Sequence, residues 1–192
     1  MPPKKSKPIV SEQESTGPVG GQRQQLTDII TPALRVLFVG YNPGLRSAAV
    51  GHHFAGPSNR FWRVLYEAGL TPVRLSAEQD GTMLSLGLGL TNLVDRPTRG
   101  AAELTAADYR QGRERLLQKL KEYRPQNVCY VGIGVYKAFA GLPKCDYGWQ
   151  QQAVVEGCND FVAPSTSGLN RMPYPEQLAI YRQLAAGIDH PN

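Results

Sequence analysis

Apolar residues in this chain fall in short runs separated by longer amphipathic stretches. Val36-Leu37-Phe38-Val39 is β-branched and aromatic and stops abruptly at Gly40-Tyr41-Asn42-Pro43-Gly44. Such a run reads as a buried strand over residues 35–39, ended by a tight turn. Short apolar runs at 90–94, 127–131, 153–155 and 161–163 predict four more strands. Between them the period lengthens to that of a helix. Phe61, Trp62, Leu65 and Ala68 share one helical face over 59–68, with Ser58 as the expected N-cap and Gly69 as C′. Residues 105–123 open on Thr105 and Asp108 in capping-box positions, repeat Tyr109, Leu116, Leu117, Leu120 and Tyr123, and end before Pro125. A short helix follows at 135–140. A last one begins at Pro175 and aligns Leu178, Tyr181 and Leu184. Strands alternating with helices predict an α/β fold with a mostly parallel central sheet and helices on both faces.

Residues 1–25 break the pattern. They are rich in Pro, Lys, Gln, Ser and Gly with almost no large apolar residue, and read as a flexible basic N-terminal arm; residues 26–192 form the single folded domain. Of the formal charge of +5 the arm supplies +2, through Lys4, Lys5, Lys7 and Arg23 against Glu12 and Glu14. That bias permits nucleic-acid contact without requiring it. No run approaches the roughly 18 apolar residues of a membrane span, and no apolar core of a secretory signal opens the chain. Cys129, Cys145 and Cys158 are scattered, without CxxC spacing. They fit reduced core thiols, so a cytoplasmic location is expected, nucleoid-associated in a bacterial source.

Several chemistries are excluded by pattern. Gly132-Ile133-Gly134 follows a strand, but the third glycine of a dinucleotide fingerprint would fall at Lys137. There is no P-loop and no GxSxG elbow. His52 and His53 lack a carboxylate or Cys at metal-binding spacing, and the chain's remaining histidine is His190. What survives is the turn after the first strand, where open α/β sheets bind ligands. A second polar loop, Pro164-Ser165-Thr166-Ser167-Gly168-Leu169-Asn170-Arg171, also follows an apolar run. Asn-Pro-Gly alone is also a favoured turn, so this reading leaves open both a structural Asn42 and a phosphate-holding turn in a small-nucleotide enzyme.

In order along the chain, GYNPG at 40–44, GHHFAGPSNRFW at 51–62, VDRPT at 94–98 and SGLNR at 167–171 resemble the mismatch-specific uracil-DNA glycosylases and their thymine-DNA glycosylase relatives. The resemblance implies a three-layer α/β/α domain that acts as a monomer on double-stranded DNA containing G:U or related mismatches, with no metal or cofactor. It would flip the base out and hydrolyse its glycosidic bond. Carried over by position, Asn42 would hold the hydrolytic water. Phe54 would stack on the base, backbone groups at Tyr41 and Phe54 would bind its edge, and Gly40 and Ser47 would line the pocket. Ser165, Ser167, Gly168, Leu169, Asn170 and Arg171 would form the intercalation and readout loop, Leu169 being the wedge.

The chain departs from the family pattern at three points. Ser165-Thr166 stands for Asn-Pro, Asn92 for a frequent Lys, and Tyr41 for a smaller aliphatic residue. Asp95, just past a strand end, is therefore a second catalytic candidate, able to polarise water or stabilise oxocarbenium-like charge. The alternative function is a mismatch DNA-binding protein with weak catalysis or none.

Overall fold

A computed structural model describes residues 26–189; the expected arm at 1–25 lies outside them. Five strands form one sheet in the order β2-β1-β3-β5-β4. They are β1 (Val36–Gly40), β2 (Leu88–Asn92), β3 (Asn127–Val131), β4 (Gly148–Trp149) and β5 (Asn159–Ala163). All pairings are parallel except that of β4, a short antiparallel edge against β5. The helices are α1 (Leu45–Val50), α2 (Phe61–Glu67), α3 (Ala106–Tyr123), α4 (Ile133–Ala140) and α5 (Tyr174–Asp189), with 3-10 segments at Ala77–Leu86 and Ala101–Glu103. Among the described residues no helix is long and apolar enough to cross a membrane.

Strand alternation explains the layers. Val36 and Phe38 of β1, with Leu88, Cys129 and Phe161 on neighbouring strands, pack against α2, α5 and the 77–86 segment. Leu37 and Val39, with Val128, Tyr130 and Val162, pack against α3 and α4. All residues of β1, β2 and β3 are buried, as a sheet covered on both faces requires. The expected three-layer α/β/α architecture is thus present. The connection leaving β1 turns to one face and those leaving β2 and β3 to the other, so the chain reverses between β1 and β3. A doubly wound sheet opens a crevice at the carboxyl ends of two such strands.

The predicted elements hold with local corrections. The Thr105–Asp108 capping box forms, with Asp108 N–H on Thr105 Oγ1 at 3.3 Å and Thr105 N–H on the Asp108 carboxylate at 2.7 Å. α2 starts at Phe61, because Asn59 Oδ1, not Ser58, accepts the Phe61 N–H at 3.0 Å. Residues 153–155 are not a strand. The Val154 N–H is taken at 2.8 Å by the carboxylate of Asp160, buried inside β5, so a side chain replaces the ladder. The real edge strand is Gly148–Trp149, which the sequence reading passed over, as it did α1 and the 77–86 segment.

Gly112 lets α3 touch the sheet: a Cβ there would collide with the backbone oxygen of Leu93, just past β2. In an exposed helix Gly→Ala stabilises by about 1 kcal/mol. Gly112→Ala should instead destabilise by about 1–3 kcal/mol, because backbone must move. A thermal melt with an unchanged or raised midpoint would show that α3 does not sit this close.

Candidate active site

A cavity of about 320 Å³ opens at the carboxyl ends of β1, β2, β3 and β5. Its walls are the 40–44 turn, the 53–54 loop, Asn92 at the end of β2, Val131 at the end of β3, and the 165–169 loop. It sits at the reversal between β1 and β3, where the topology leaves room.

Asn42 lines this cavity half-buried. Its Nδ2 donates to the Arg96 carbonyl oxygen at 3.0 Å and to Thr98 Oγ1 at 2.7 Å, with a longer bond of 3.3 Å to the Pro43 carbonyl. The Thr98 hydroxyl in turn donates to the Gly100 carbonyl at 2.9 Å, so it can only accept from Asn42. These carbonyl partners fix which end of the amide is nitrogen, leaving Oδ1 with no protein donor among the described residues. The Thr98 N–H also donates to the Pro43 carbonyl at 3.1 Å, stitching 97–100 to the turn. Arg96 is itself held by a two-point pairing with Asp108, at 3.0 and 2.8 Å, at the start of α3. Thus VDRPT orients Asn42 across the sheet, a task that spacing could not reveal.

Phe54 lines the same cavity. Its ring stacks on Phe61 with centroids 3.8 Å apart and planes 12° from parallel. Phe61 covers one face, and Phe54 still lines the cavity. The residue has φ 52, a left-handed conformation that costs a non-glycine residue roughly 1–2 kcal/mol. That strain turns the loop so that the Phe54 N–H donates to no acceptor among the described residues. Ser47 is buried in the cavity wall, its Oγ accepting the Ala55 N–H at 3.0 Å, so it both lines the space and pins this loop.

Gly40 permits the closest approach. A Cβ there would lie 2.5 Å from Asn92 Oδ1 and 3.4 Å from Phe54 Cζ. Asn92 pairs in register with Gly40, is buried, and makes no side-chain hydrogen bond among the described residues. Its amide is open to the cavity and brings one donor and one acceptor. Sequence reasoning treated Asn92 only as a departure from a pattern; a polar residue closing a buried strand was the available signal. His53 was also underrated: it is 1% exposed and lines the cavity. Its Nε2 lies 3.0 Å from the Thr27 carbonyl, which requires a proton on Nε2. Burial lowers its pKa, so the ring is neutral with Nδ1 an acceptor. On another wall the Tyr41 hydroxyl donates to Tyr109 at 3.0 Å. Burial first, and this bond second, push the Tyr41 phenol well above its ordinary range.

Asp95, the second catalytic candidate, is placed apart from these residues. It does not line the cavity; its carboxylate meets Arg115 at 2.7 Å and Lys119 at 3.9 Å. Lys119 also pairs with Asp28 and donates to Thr91 Oγ1 at 3.2 Å. These charges bind α3 to β2 and to residues 28–29, and they hold Asp95 facing α3. Among the described residues the cavity walls contain no carboxylate.

The 165–171 loop forms the remaining rim. The Arg60 N–H donates to the Thr166 carbonyl at 2.9 Å, and Asn170 Nδ2 donates to the Ser165 carbonyl at 2.7 Å. The Leu169 N–H donates to Ser167 Oγ at 3.3 Å. From this braced turn Leu169 projects 87% exposed, the most exposed large apolar side chain among the described residues. Ser165, Ser167 and Leu169 line the cavity, whereas Gly168, Asn170 and Arg171 lie outside it.

Comparison with known proteins bears on this arrangement. Residues 27–185 match the sequence profile of the uracil DNA glycosylase superfamily. The fold is similar to a solution NMR structure of a candidate uracil DNA glycosylase from Methanosarcina acetivorans, with TM-score 0.62 and 17% identity over 88% of this chain and 99% of that one.

Proposed function

Because this chain belongs to the uracil DNA glycosylase superfamily, we propose that it is a monofunctional repair glycosylase acting as a monomer on duplex DNA. It flips uracil, opposite guanine, into the cavity and hydrolyses the N-glycosidic bond, leaving an abasic site. The observation that carries this reading is Asn42: its nitrogen is tied to Arg96 and Thr98, while its oxygen has no protein donor among the described residues, in a cavity that the aromatic ring of Phe54 also lines.

The chemistry follows from the groups present. A duplex buries the bond to be cut, so the base must leave the stack, at a cost of a few kcal/mol. Leu169 fills the gap, and Phe54 receives the base face. Uracil presents an imide edge, one N–H between two carbonyl oxygens. Asn92 accepts from that N–H and donates to a neighbouring oxygen, while the Phe54 N–H faces the other oxygen. As the bond breaks, negative charge spreads onto those oxygens, and fixed dipoles lower the barrier most there. Asn42 Oδ1 accepts one hydrogen bond from water and aims it at the sugar carbon. A neutral amide does not remove the proton efficiently. With no carboxylate among the described residues of the cavity wall, the enzyme is slow and relies on leaving-group stabilisation and on weakly paired bases.

The direct test uses a labelled G:U duplex without added metal, followed by alkaline cleavage of abasic sites. Strand scission supports the glycosylase. A mobility shift without scission supports the second reading, a mismatch-binding protein, which the missing carboxylate favours. Leu169→Ala should weaken binding to the G:U duplex about tenfold, with little effect on the rate once bound; equal affinity would remove the wedge. Asp95→Asn should alter the single-turnover rate less than about threefold and lower the melting point slightly, the behaviour of a partly exposed ion pair. A hundredfold loss of rate would return Asp95 to the chemistry.

A further inference from the structure

Two arginines on the cavity rim are left unused by the reading above. Arg46 on α1 and Arg99 beyond β2 are both exposed, and both line the cavity. They are brought together by the stitch between the Pro43 carbonyl and the Thr98 N–H, which aligns Gly44 with Thr98. In the order of strand ends, this rim lies beyond β2 and β1, while the Leu169 loop lies beyond β5. The cavity thus has an apolar wedge on one flank and a cationic pair on the other.

The two side chains differ from the neighbouring Arg96. That guanidinium is consumed by Asp108 and by the Glu103 carbonyl oxygen at 2.6 Å. Arg46 uses only Nε, donating to the Ala55 carbonyl at 3.0 Å. Its two terminal nitrogens, and the whole Arg99 guanidinium, have no acceptor among the described residues. Glu78 lies within electrostatic reach of Arg46 without pairing to it. An arginine whose Nε is fixed and whose terminal nitrogens are free presents a planar donor pair, which suits a phosphodiester. Its tether is also informative. Ala55 follows Phe54 directly, and its N–H is held by Ser47, so a ligand on Arg46 braces the segment that carries the base platform.

We infer that Arg46 and Arg99 form a clamp for a backbone phosphate of the uracil-bearing strand, adjacent to the flipped nucleotide. This rests on the cavity being the base pocket. With the base inserted beside Phe54 and Leu169 in the vacated stack, the strand must leave the pocket over the opposite rim. The clamp makes the ligand a polynucleotide rather than a free nucleoside, and it couples backbone grip to base stacking through the Arg46–Ala55 bond.

The test measures binding of a fluorescent duplex carrying 2′-fluoro-2′-deoxyuridine opposite guanine, the fluorine slowing bond cleavage. Arg46→Gln and Arg99→Gln should each weaken binding about three- to tenfold at low salt and reduce the slope of log K against log salt by about 0.9. Two further duplexes carry a single uncharged methylphosphonate linkage, either 5′ or 3′ of the modified nucleotide. On the duplex that neutralises the clamped phosphate, the substitutions should cost little more, a non-additive pattern diagnostic of contact. Full additive losses on both modified duplexes would overturn the clamp. Arg46→Lys retains the charge and should restore the salt slope that Arg46→Gln loses; equal slopes for the two variants would also overturn it. Wild-type excision from the unmodified G:U duplex is scored in parallel. Additive losses beside intact excision mean that the clamp alone has failed, and absent excision means that the glycosylase reading has failed.

Discussion

Asn42→Ala should lower the single-turnover rate of uracil release about 10²–10³-fold, the range seen when one well-placed polar group is removed from a reacting centre. Binding of the same duplex should change little. The asymmetry comes from the site's construction. Nδ2 spends its hydrogens on Arg96, Pro43 and Thr98, so the amide is held before any ligand arrives, and Oδ1 is left without a protein donor among the described residues. Removing the side chain leaves the water unoriented without disturbing the base platform or the 165–171 loop. Thr98→Val offers an indirect check. It keeps the shape but removes the 2.7 Å acceptor of Nδ2, so the rate should fall with unchanged affinity, though less than for Asn42→Ala. Single-turnover assays at saturating protein decide the matter. A rate within a few-fold of wild type for Asn42→Ala would make the residue a turn former and nothing more.

The second large effect belongs to Phe54. Phe54→Ala removes a base-stacking surface worth about 1–3 kcal/mol, which should appear as roughly 5- to 150-fold in kcat/KM. It also breaks the stack on Phe61, so stability falls by about 1 kcal/mol for the aromatic pair alone. Phe54→Leu separates the two contributions. Leucine refills much of the space against Phe61, so the melting point should recover substantially, but it offers no flat face to a pyrimidine and activity should stay low. If Phe54→Leu regained both stability and activity, the ring would be ordinary core, and the base would have to rest elsewhere.

Much of the fold was readable along the chain because its causes are local. The β1 run, the Thr105–Asp108 box and the glycine after α2 each act within a few residues, and each element appears close to where the pattern placed it, with shifted ends. The errors share a different origin. Residues 153–155 have strand composition, but Asp160, six positions on, captures the Val154 N–H; only the folded loop brings those groups together. Ser58 is a good cap by type, yet Asn59 is the residue whose side-chain oxygen accepts the Phe61 N–H. Asp95, singled out from its place after a strand, shows the same dependence on the folded chain. Its carboxylate is claimed by Arg115 and Lys119, which are adjacent only once α3 lies over β2.

The candidate site divides in the same way. The motifs at 40–44, 51–62, 94–98 and 167–171, through their resemblance to the family, were enough to propose a base pocket and to single out Asn42, Phe54 and Leu169 for it; the residue types alone left Asn42 open between a turn former and a functional group. Orientation was not encoded there. That the Asn42 amide has its nitrogen paired and its oxygen unspent depends on Arg96 and Thr98, 54 and 56 positions away. That Asn92 and His53 face the cavity depends on the register of β2 beside β1 and on the Thr27 carbonyl. Which rim is basic depends on the stitch between Pro43 and Thr98. The chain by itself determined which groups are available; the packed sheet alone decided which of their hydrogen-bonding atoms remain unspent, because a long-range partner must be present before an atom can be either satisfied or left free.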